Sequence, residues 1–195
     1  MNRYFNSFFS IFLNLFRVAL TFQGTYILFQ GNYFEGLYCF LTLGITFLLN
    51  KIYKVAKINP NKLLRFFVVL FIFLSMYLGH TNHMYSIVTN WDDILHLSSG
   101  FIITLFGFLI VEKIDRNNSI LYNKTFICFY LIIFSIATAG VWEIYEFTTD
   151  FLFNLQSQGG SLTDTMIDII NGTVGGIVIS IIYNFKPQLF KSTNN

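Results

Sequence analysis

The sequence predicts an all-α fold: a polytopic membrane helical bundle of six transmembrane helices with both termini cytoplasmic. Three observations predict it. Only 11% of the 195 residues are charged, while 54% are hydrophobic and 19% aromatic, against about 25% charged in soluble domains. Six apolar runs, at about 8–29, 34–50, 63–79, 93–112, 125–148 and 164–185, are each long enough to span a bilayer. The cations between those runs alternate strictly from one connection to the next. No linker or short-period repeat divides the chain, so one membrane domain, 1–195, is expected, with a polar motif core at about 80–176. Twenty-five phenylalanines and many Ile and Asn residues suggest an AT-rich bacterial genome.

The first run carries Asn14 and Arg17, and no small-residue cleavage site follows, so it is expected to be retained rather than removed as a signal. Arg17 falls well inside it. Either residues 4–16 form an interfacial helix, or Arg17 snorkels to the headgroups. The second run contains Cys39 and the fifth Cys128. Both read as small apolar residues, with neither CxxC spacing nor a disulfide framework.

Lys51, Lys54, Lys57, Lys62 and Arg65 lie between the second and third runs, Lys113, Arg116 and Lys124 between the fourth and fifth. Lys186 and Lys191 follow the sixth, and Arg3 precedes the first. The alternate connections, 30–33, 80–92 and 149–163, hold no Lys or Arg. The positive-inside rule then places both termini in the cytoplasm and those alternate connections outside.

The acids gather at the outer face. Asp92, Asp93, Glu143, Glu146, Asp150, Asp164 and Asp168 are seven of the ten Asp and Glu, and all three histidines, His80, His83 and His96, share that end. In "GHTNHMYS", His80 and His83 form a His-x-x-His pair in an outer loop, a weak metal motif unless carboxylates and a third His complete it.

The fourth run opens with "NWDDILHLSSG". Thr89 or Asn90 can cap this helix, with Asp92 and Asp93 in its first turn beside free N–H groups. His96 follows Asp92 at i+4 on one face. Capping does not explain a histidine one turn into the membrane, where an ionisable residue is costly and by default functional. "SSG" reads as a packing patch; the setting of a rhomboid-type serine nucleophile is absent.

The fifth run ends in "WEIYEFTTD". Glu143, Glu146 and Asp150 recur at i, i+3 and i+7 near a helix C-terminus, where unsatisfied carbonyls already disfavour anions. A solvated outer end suits Asp150 but not Glu143, which has "IATAGVW" behind it. The sixth run opens with "SLTDTMID": Ser161 or Thr163 caps, Asp164 takes the first turn, and Asp168 and Asn171 continue its face at i+4 and i+7. Gly172 and Gly176 then form a small-xxx-small face that would hold Asp168 and Asn171 against the fourth or fifth span.

With "DDILH", "WEIYE" and "DTMID" in that order, the chain resembles the YjdF-like family of small bacterial inner-membrane proteins over about 80–176. The resemblance implies six spans and a multi-pass protein of the bacterial inner membrane. No activity is established for that family. A fainter likeness runs to the VanZ-like proteins, which pair Asp with His on one span, carry an acidic residue on another, and end in an Asp-x-x-Asn-x-x-Gly type span. Asp168, Asn171 and Gly175 or Gly176 stand close to that spacing. Those proteins act at the cell envelope and are linked to glycopeptide resistance, but the arginine expected before their final motif is missing here.

Converging carboxylates cannot all stay ionised in a low dielectric, since two unit charges 4 Å apart repel by about 4 kcal/mol at an effective dielectric of 20. A cation or protons must compensate them. In the first reading, Asp92, His96, Glu143, Glu146, Asp164 and Asp168 hold a divalent metal ion; mixed oxygen and imidazole ligands suit Zn, Mn or Fe, and oxygen alone suits Mg or Ca. Such an ion would activate water or hold a phosphate-bearing lipid head group, with His96, Glu143 and Asp168 as the catalytic set of a lipid-modifying enzyme and His80, His83, Asp93, Asp150 and Asn171 around them. The second reading is a small proton- or cation-coupled transporter, and the third a non-catalytic envelope-binding protein in which the cluster buttresses the helices. Membrane lipid or a lipid-linked molecule is the expected partner, and nothing points to nucleic acid.

Overall fold

A computed structural model describes residues 2–55, 57, 59–115, 123–154, 158 and 161–190. Among these, all regular structure is helical: α1 (Asn2–Phe29), α2 (Tyr33–Val55), α3 (Lys62–Ile72), α4 (Met84–Ile87), α5 (Trp91–Ile114), α6 (Lys124–Phe153) and α7 (Leu162–Phe185). α3 runs on into a π-helical stretch, Phe73–Thr81, and a 3-10 turn, Pro187–Leu189, follows α7. Six of these helices are long and apolar enough to cross a membrane: Tyr4–Phe29, Tyr33–Val55, Lys62–Thr81, Trp91–Ile114, Lys124–Phe153 and Leu162–Phe185. They correspond one to one with the six apolar runs. The helices outlast those runs because backbone hydrogen bonding continues through Lys51 and Lys54, good helix formers whose ammonium groups can reach toward water.

The helices group into two compact units, Met1–Asn59 with Val68–Thr89, and Pro60–Phe67 with Asn90–Asn195. In the first, Phe16, Leu20, Cys39, Val69 and Ile72 form a buried core. Phe16 meets the rings of Phe73 and Tyr77 edge-on at 5.2 and 5.6 Å.

α1 is a single continuous helix, so no separate interfacial helix exists over 4–16. Arg17 does not need to snorkel either. Its Nε donates to Thr46 Oγ1 (3.0 Å), its Nη2 to the Thr46 carbonyl (2.9 Å), and its guanidinium lies 3.9 Å from the centre of the Phe47 ring. Two adjacent residues of α2, Thr46 and Phe47, thus meet the guanidinium within an apolar run.

The π-helical stretch is held by side chains. The Asn82 amide N–H donates to Tyr77 O five residues back (3.0 Å), and the Asn82 side chain donates to the same oxygen (2.8 Å). Gln23 Nε2 donates to Asn82 Oδ1 (3.1 Å). His80 stacks on Tyr38, ring centres 4.0 Å apart, and His83 takes a left-handed conformation ahead of α4. Neither histidine belongs to a group of possible metal ligands among the described residues.

The second unit is built on α5, α6 and α7. Phe190 turns back to pack on Phe108 and Tyr183 (5.6 and 5.3 Å), and Asn61 Nδ2 donates to the carbonyls of Leu189 and Phe190. The three helices approach closely through small residues. A Cβ at Gly100 would strike the Gly172 carbonyl oxygen, one at Gly175 the Leu97 carbonyl oxygen, and one at Gly176 the Ser135 side chain. The glycines of α7 therefore face α5 as well as α6, not one neighbour alone. Ser135 Oγ donates to Gly172 O across the α6–α7 contact (2.8 Å).

Candidate functional site

Close packing brings three helix ends together: the start of α5, the end of α6 and the start of α7. On α5, Asp92 and Asp93 occupy the first turn and His96 lies one turn further in. Asn90 stands at the N-cap position, but no side-chain capping bond forms there. On α7, Ser161 is the cap, its Oγ accepting from the Thr163 and Asp164 amides (3.1 and 3.3 Å); Asp164 takes the first turn and Asp168 the next.

His96 is the centre. Its Nε2 lies 3.7 Å from Asp92 Oδ2 on its own helix and 3.8 Å from Asp168 Oδ1 on α7. Both separations exceed hydrogen-bond range. The three groups face a common gap rather than satisfying one another. Asp92, His96 and Asp168 form one triad whose ligand atoms all lie within 4.8 Å of one another, and His96, Glu143 and Glu146 form a second. Two ligands at about 2.1 Å from one ion stand at most about 4.2 Å apart, and the His96–Asp92 and His96–Asp168 separations of 3.7 and 3.8 Å already fall inside that limit.

Burial raises the stakes. His96, Glu143 and Asp168 are 8%, 4% and 3% exposed. No hydrogen bond of good geometry reaches either carboxylate oxygen of Glu143 among the described residues, though the Thr165 side chain stands beside it. On α5, α6 and α7 the only Lys or Arg are Lys113 and Lys124, at the opposite ends of their helices. No cationic side chain of these helices is therefore placed to compensate the cluster.

Of the six expected ligands, Asp92, His96, Glu143, Glu146 and Asp168 fall in the two triads, and Asp164 falls in neither. Among the surrounding residues, Asn171 Nδ2 donates to Asp93 Oδ1 (2.7 Å), tying α7 to α5, and Asp150 Oδ2 accepts from the Gln158 amide (2.9 Å). Trp142 Nε1 donates to Glu146 Oε1 (2.9 Å) and fixes one side of that carboxylate. Gln158 was not legible in advance. Its side chain donates to Thr165 Oγ1 (3.2 Å) and toward the Glu143 carbonyl (3.5 Å), bridging α6 and α7. In "LQSQGG" it carries no periodic or motif signal, only the look of a polar connection. An open cleft of about 870 Å³ adjoins the cluster between α6 and α7, lined by Ile144, Phe147, Phe151, Leu162 and Ile169 together with Glu143, Asp150 and Thr165. Glu143 thus faces both the ligand cluster and an apolar cleft.

Fold and cluster define a helical membrane protein with six potential spans and an acidic, histidine-centred group at one end of three of them. The chain belongs to the family described as "Predicted membrane protein (DUF2238)", whose profile matches residues 8–187. It is also similar to an uncharacterized protein of Thermotoga maritima, 32% identical over 120 residues. That alignment covers 61% of each chain, so this chain spans about three fifths of the length of that relative. No solved structure matches.

Proposed function

We propose that this protein binds a divalent cation through Asp92, His96, Glu143, Glu146 and Asp168, and uses that site to engage the polar head of a lipid-linked or envelope substrate. The observation that carries the reading is Glu143, a carboxylate 4% exposed, without a hydrogen bond of good geometry among the described residues, and aimed at His96 and Glu146. An ionised carboxylate so placed is unfavourable by several kcal/mol unless something positive meets it. The donor set of carboxylate oxygen and imidazole nitrogen suits Zn, Mn or Fe. When bound, the ion would supply positive charge that offsets the carboxylates and polarises an oxygen of the substrate. His96, Glu143 and Asp168, the most buried of the set, are the groups any chemistry there would pass through. The α6–α7 cleft, continuous with Glu143, suits the apolar part of such a molecule.

Location follows from charge. The cluster lies at the ends of α5, α6 and α7 away from Lys113, Lys124 and Lys186. By the positive-inside rule this supports an extracytoplasmic site with both termini in the cytoplasm, in a bacterial inner membrane. The order of the three acidic motifs supports kinship with the YjdF-like proteins.

Metal analysis of the full chain purified in detergent tests the reading. Wild type is expected to retain or take up a stoichiometric divalent ion and Glu143→Gln to lose it. A wild-type protein that binds no divalent ion after dialysis against Zn²⁺, Mn²⁺ or Fe²⁺ would sink it.

A further inference from the structure

We infer that the α6–α7 cleft is a lipid site that selects an amine-bearing head group, with one hydrocarbon chain lying between the two helices. This rests on the reading of a lipid-type substrate and deepens it by naming the head-group class. Size and lining speak for the chain. The cleft has a volume of about 870 Å³, within the range of sites that take small organic ligands. Along α6 its lining runs from Gly140 to Phe151, about 16 Å at 1.5 Å per residue. That is close to the depth of one leaflet, half of a hydrocarbon core about 30 Å thick. Ile144, Phe147, Phe151 and Leu162 are exposed along it, on helices long and apolar enough to cross a membrane, so in a bilayer the mouth of the cleft meets lipid. The inner end has room: a Cβ at Gly140 would meet nothing within 4 Å.

Charge speaks for the head group. Asp150, Asn154, Gln158 and Ser161 form a polar lining where α6 ends and α7 begins. Neither the lining nor the connection 149–163 contains a Lys or Arg. The N-terminus of α7, the usual alternative seat for an anion, is taken. Ser161 Oγ accepts from the Thr163 and Asp164 amides, and Asp164 adds a carboxylate in the first turn. A head group that is only anionic would therefore meet acids and no cationic side chain. An ammonium meets Asp150, which accepts the Gln158 amide through Oδ2; a carboxylate can accept about four such bonds. Glu143 is the independent sign. It lines the cleft further in, is 4% exposed, and has no hydrogen bond of good geometry at either carboxylate oxygen among the described residues. An anion beside it would be repelled. Glu143 lies two helical turns from Asp150 on α6. A lipid anchored at Asp150 and running inward thus passes Glu143 and brings the junction of head and chain to the cation site.

The test uses the full-length chain in nanodiscs of equal phosphatidylethanolamine and phosphatidylglycerol, in EDTA, with a trace of either lipid carrying a photoreactive diazirine in its chain. The two heads share a phosphate and differ in the amine. After irradiation, labelled peptides are mapped by mass spectrometry. The phosphatidylethanolamine probe is expected to label 140–151 and 162–169 about two- to fivefold more than the phosphatidylglycerol probe, the selectivity one partly solvated ion pair supplies. Asp150→Asn should bring the two probes level. Gly140→Phe, whose ring would fill the inner end, should lower labelling of the cleft by both. Equal labelling of wild type by the two probes, or preference for phosphatidylglycerol, overturns the amine selectivity; label confined to other helices overturns the site. Wild type alone decides both, so a variant that fails to fold does not obscure the result. EDTA keeps the outcome apart from cation binding: a chain that takes up no metal can still show the selective labelling, and a chain without selectivity can still take up metal.

Discussion

Replacing Glu143 with Gln keeps shape and removes one charge, so its effect on stability should change sign with metal. Without metal, Glu143 faces Glu146 with ligand atoms no more than 4.8 Å apart. At an effective dielectric of 20 that pair repels by about 3.5 kcal/mol. Glu146 is half-buried and its neighbourhood partly solvated, so relief of about 1–2 kcal/mol is the realistic share. A neutral amide in the same unpartnered position is also less costly to bury than a carboxylate. Glu143→Gln should therefore melt higher than wild type in EDTA, by roughly 4 °C for a chain of this length. With Mn²⁺ or Zn²⁺ the order reverses. Loss of groups that merely orient a ligand already costs about 10–100-fold in affinity, so losing a ligand should cost about 100-fold or more. At a free metal concentration 100 times the wild-type Kd, wild type gains about 2.7 kcal/mol and the variant only about 0.4 kcal/mol. The assay is thermal unfolding in detergent, with EDTA and across a metal titration. A variant that melts lower than wild type in EDTA would mean that Glu143 buttresses the helices through contacts of its own, and the reasoning would fail.

Three further outcomes follow from particular contacts. Gly100→Ala drives a methyl group into the Gly172 carbonyl; forcing α5 from α7 should cost about 1–3 kcal/mol and weaken metal binding by widening the His96–Asp168 gap, both measurable in the same titration. Thr46→Val removes the hydroxyl that accepts from Arg17 and should destabilise by about 1.5–3 kcal/mol. Arg17→Leu, which removes the charge as well, should be milder, and equal melting temperatures for the two would contradict the clamp. For orientation, in a chain lacking Cys39 and Cys128, Asn154→Cys should react with a membrane-impermeant maleimide in intact spheroplasts and Lys186→Cys only after lysis; the opposite pattern would invert the site.

The spans were legible because hydropathy and length are local properties, and each of the six runs became a helix of the expected kind. Helix ends were less so. The second run stops at 50 where lysines begin, yet α2 continues to Val55, since leaving lipid does not end a helix. Arg17 misled for a related reason. A charge in an apolar run prompts a search for an acid or an exit, whereas its partner is a threonine hydroxyl and carbonyl 29 residues away, a pairing with no sequence signature. The i,i+4 pattern brought Asp92 and His96 to one face, and the structure has them 3.7 Å apart. The same pattern joined Asp164 to Asp168, but only Asp168 reaches His96, because the neighbouring helix meets α7 one turn further in. Periodicity gives the face of a helix and not the depth at which another helix crosses it.

That depth decides what can compensate the cluster. Asp92 and Asp164 sit in first turns, where the positive ends of α5 and α7 offset an anion by about 0.3–1 kcal/mol each. Asp168 lies a turn beyond that help. Glu143 and Glu146 lie two to three turns before the end of α6 at Phe153, too far in for either helix terminus to offset them. Backbone electrostatics thus favour the two acids in first turns and offer nothing to the others. A role confined to holding helices together would place the costliest charges where the backbone or a Lys could meet them. Here the buried carboxylate of Glu143 has neither, and its oxygens border both the histidine and an apolar cleft. That distribution supports the proposed cation site over a purely structural role for the cluster.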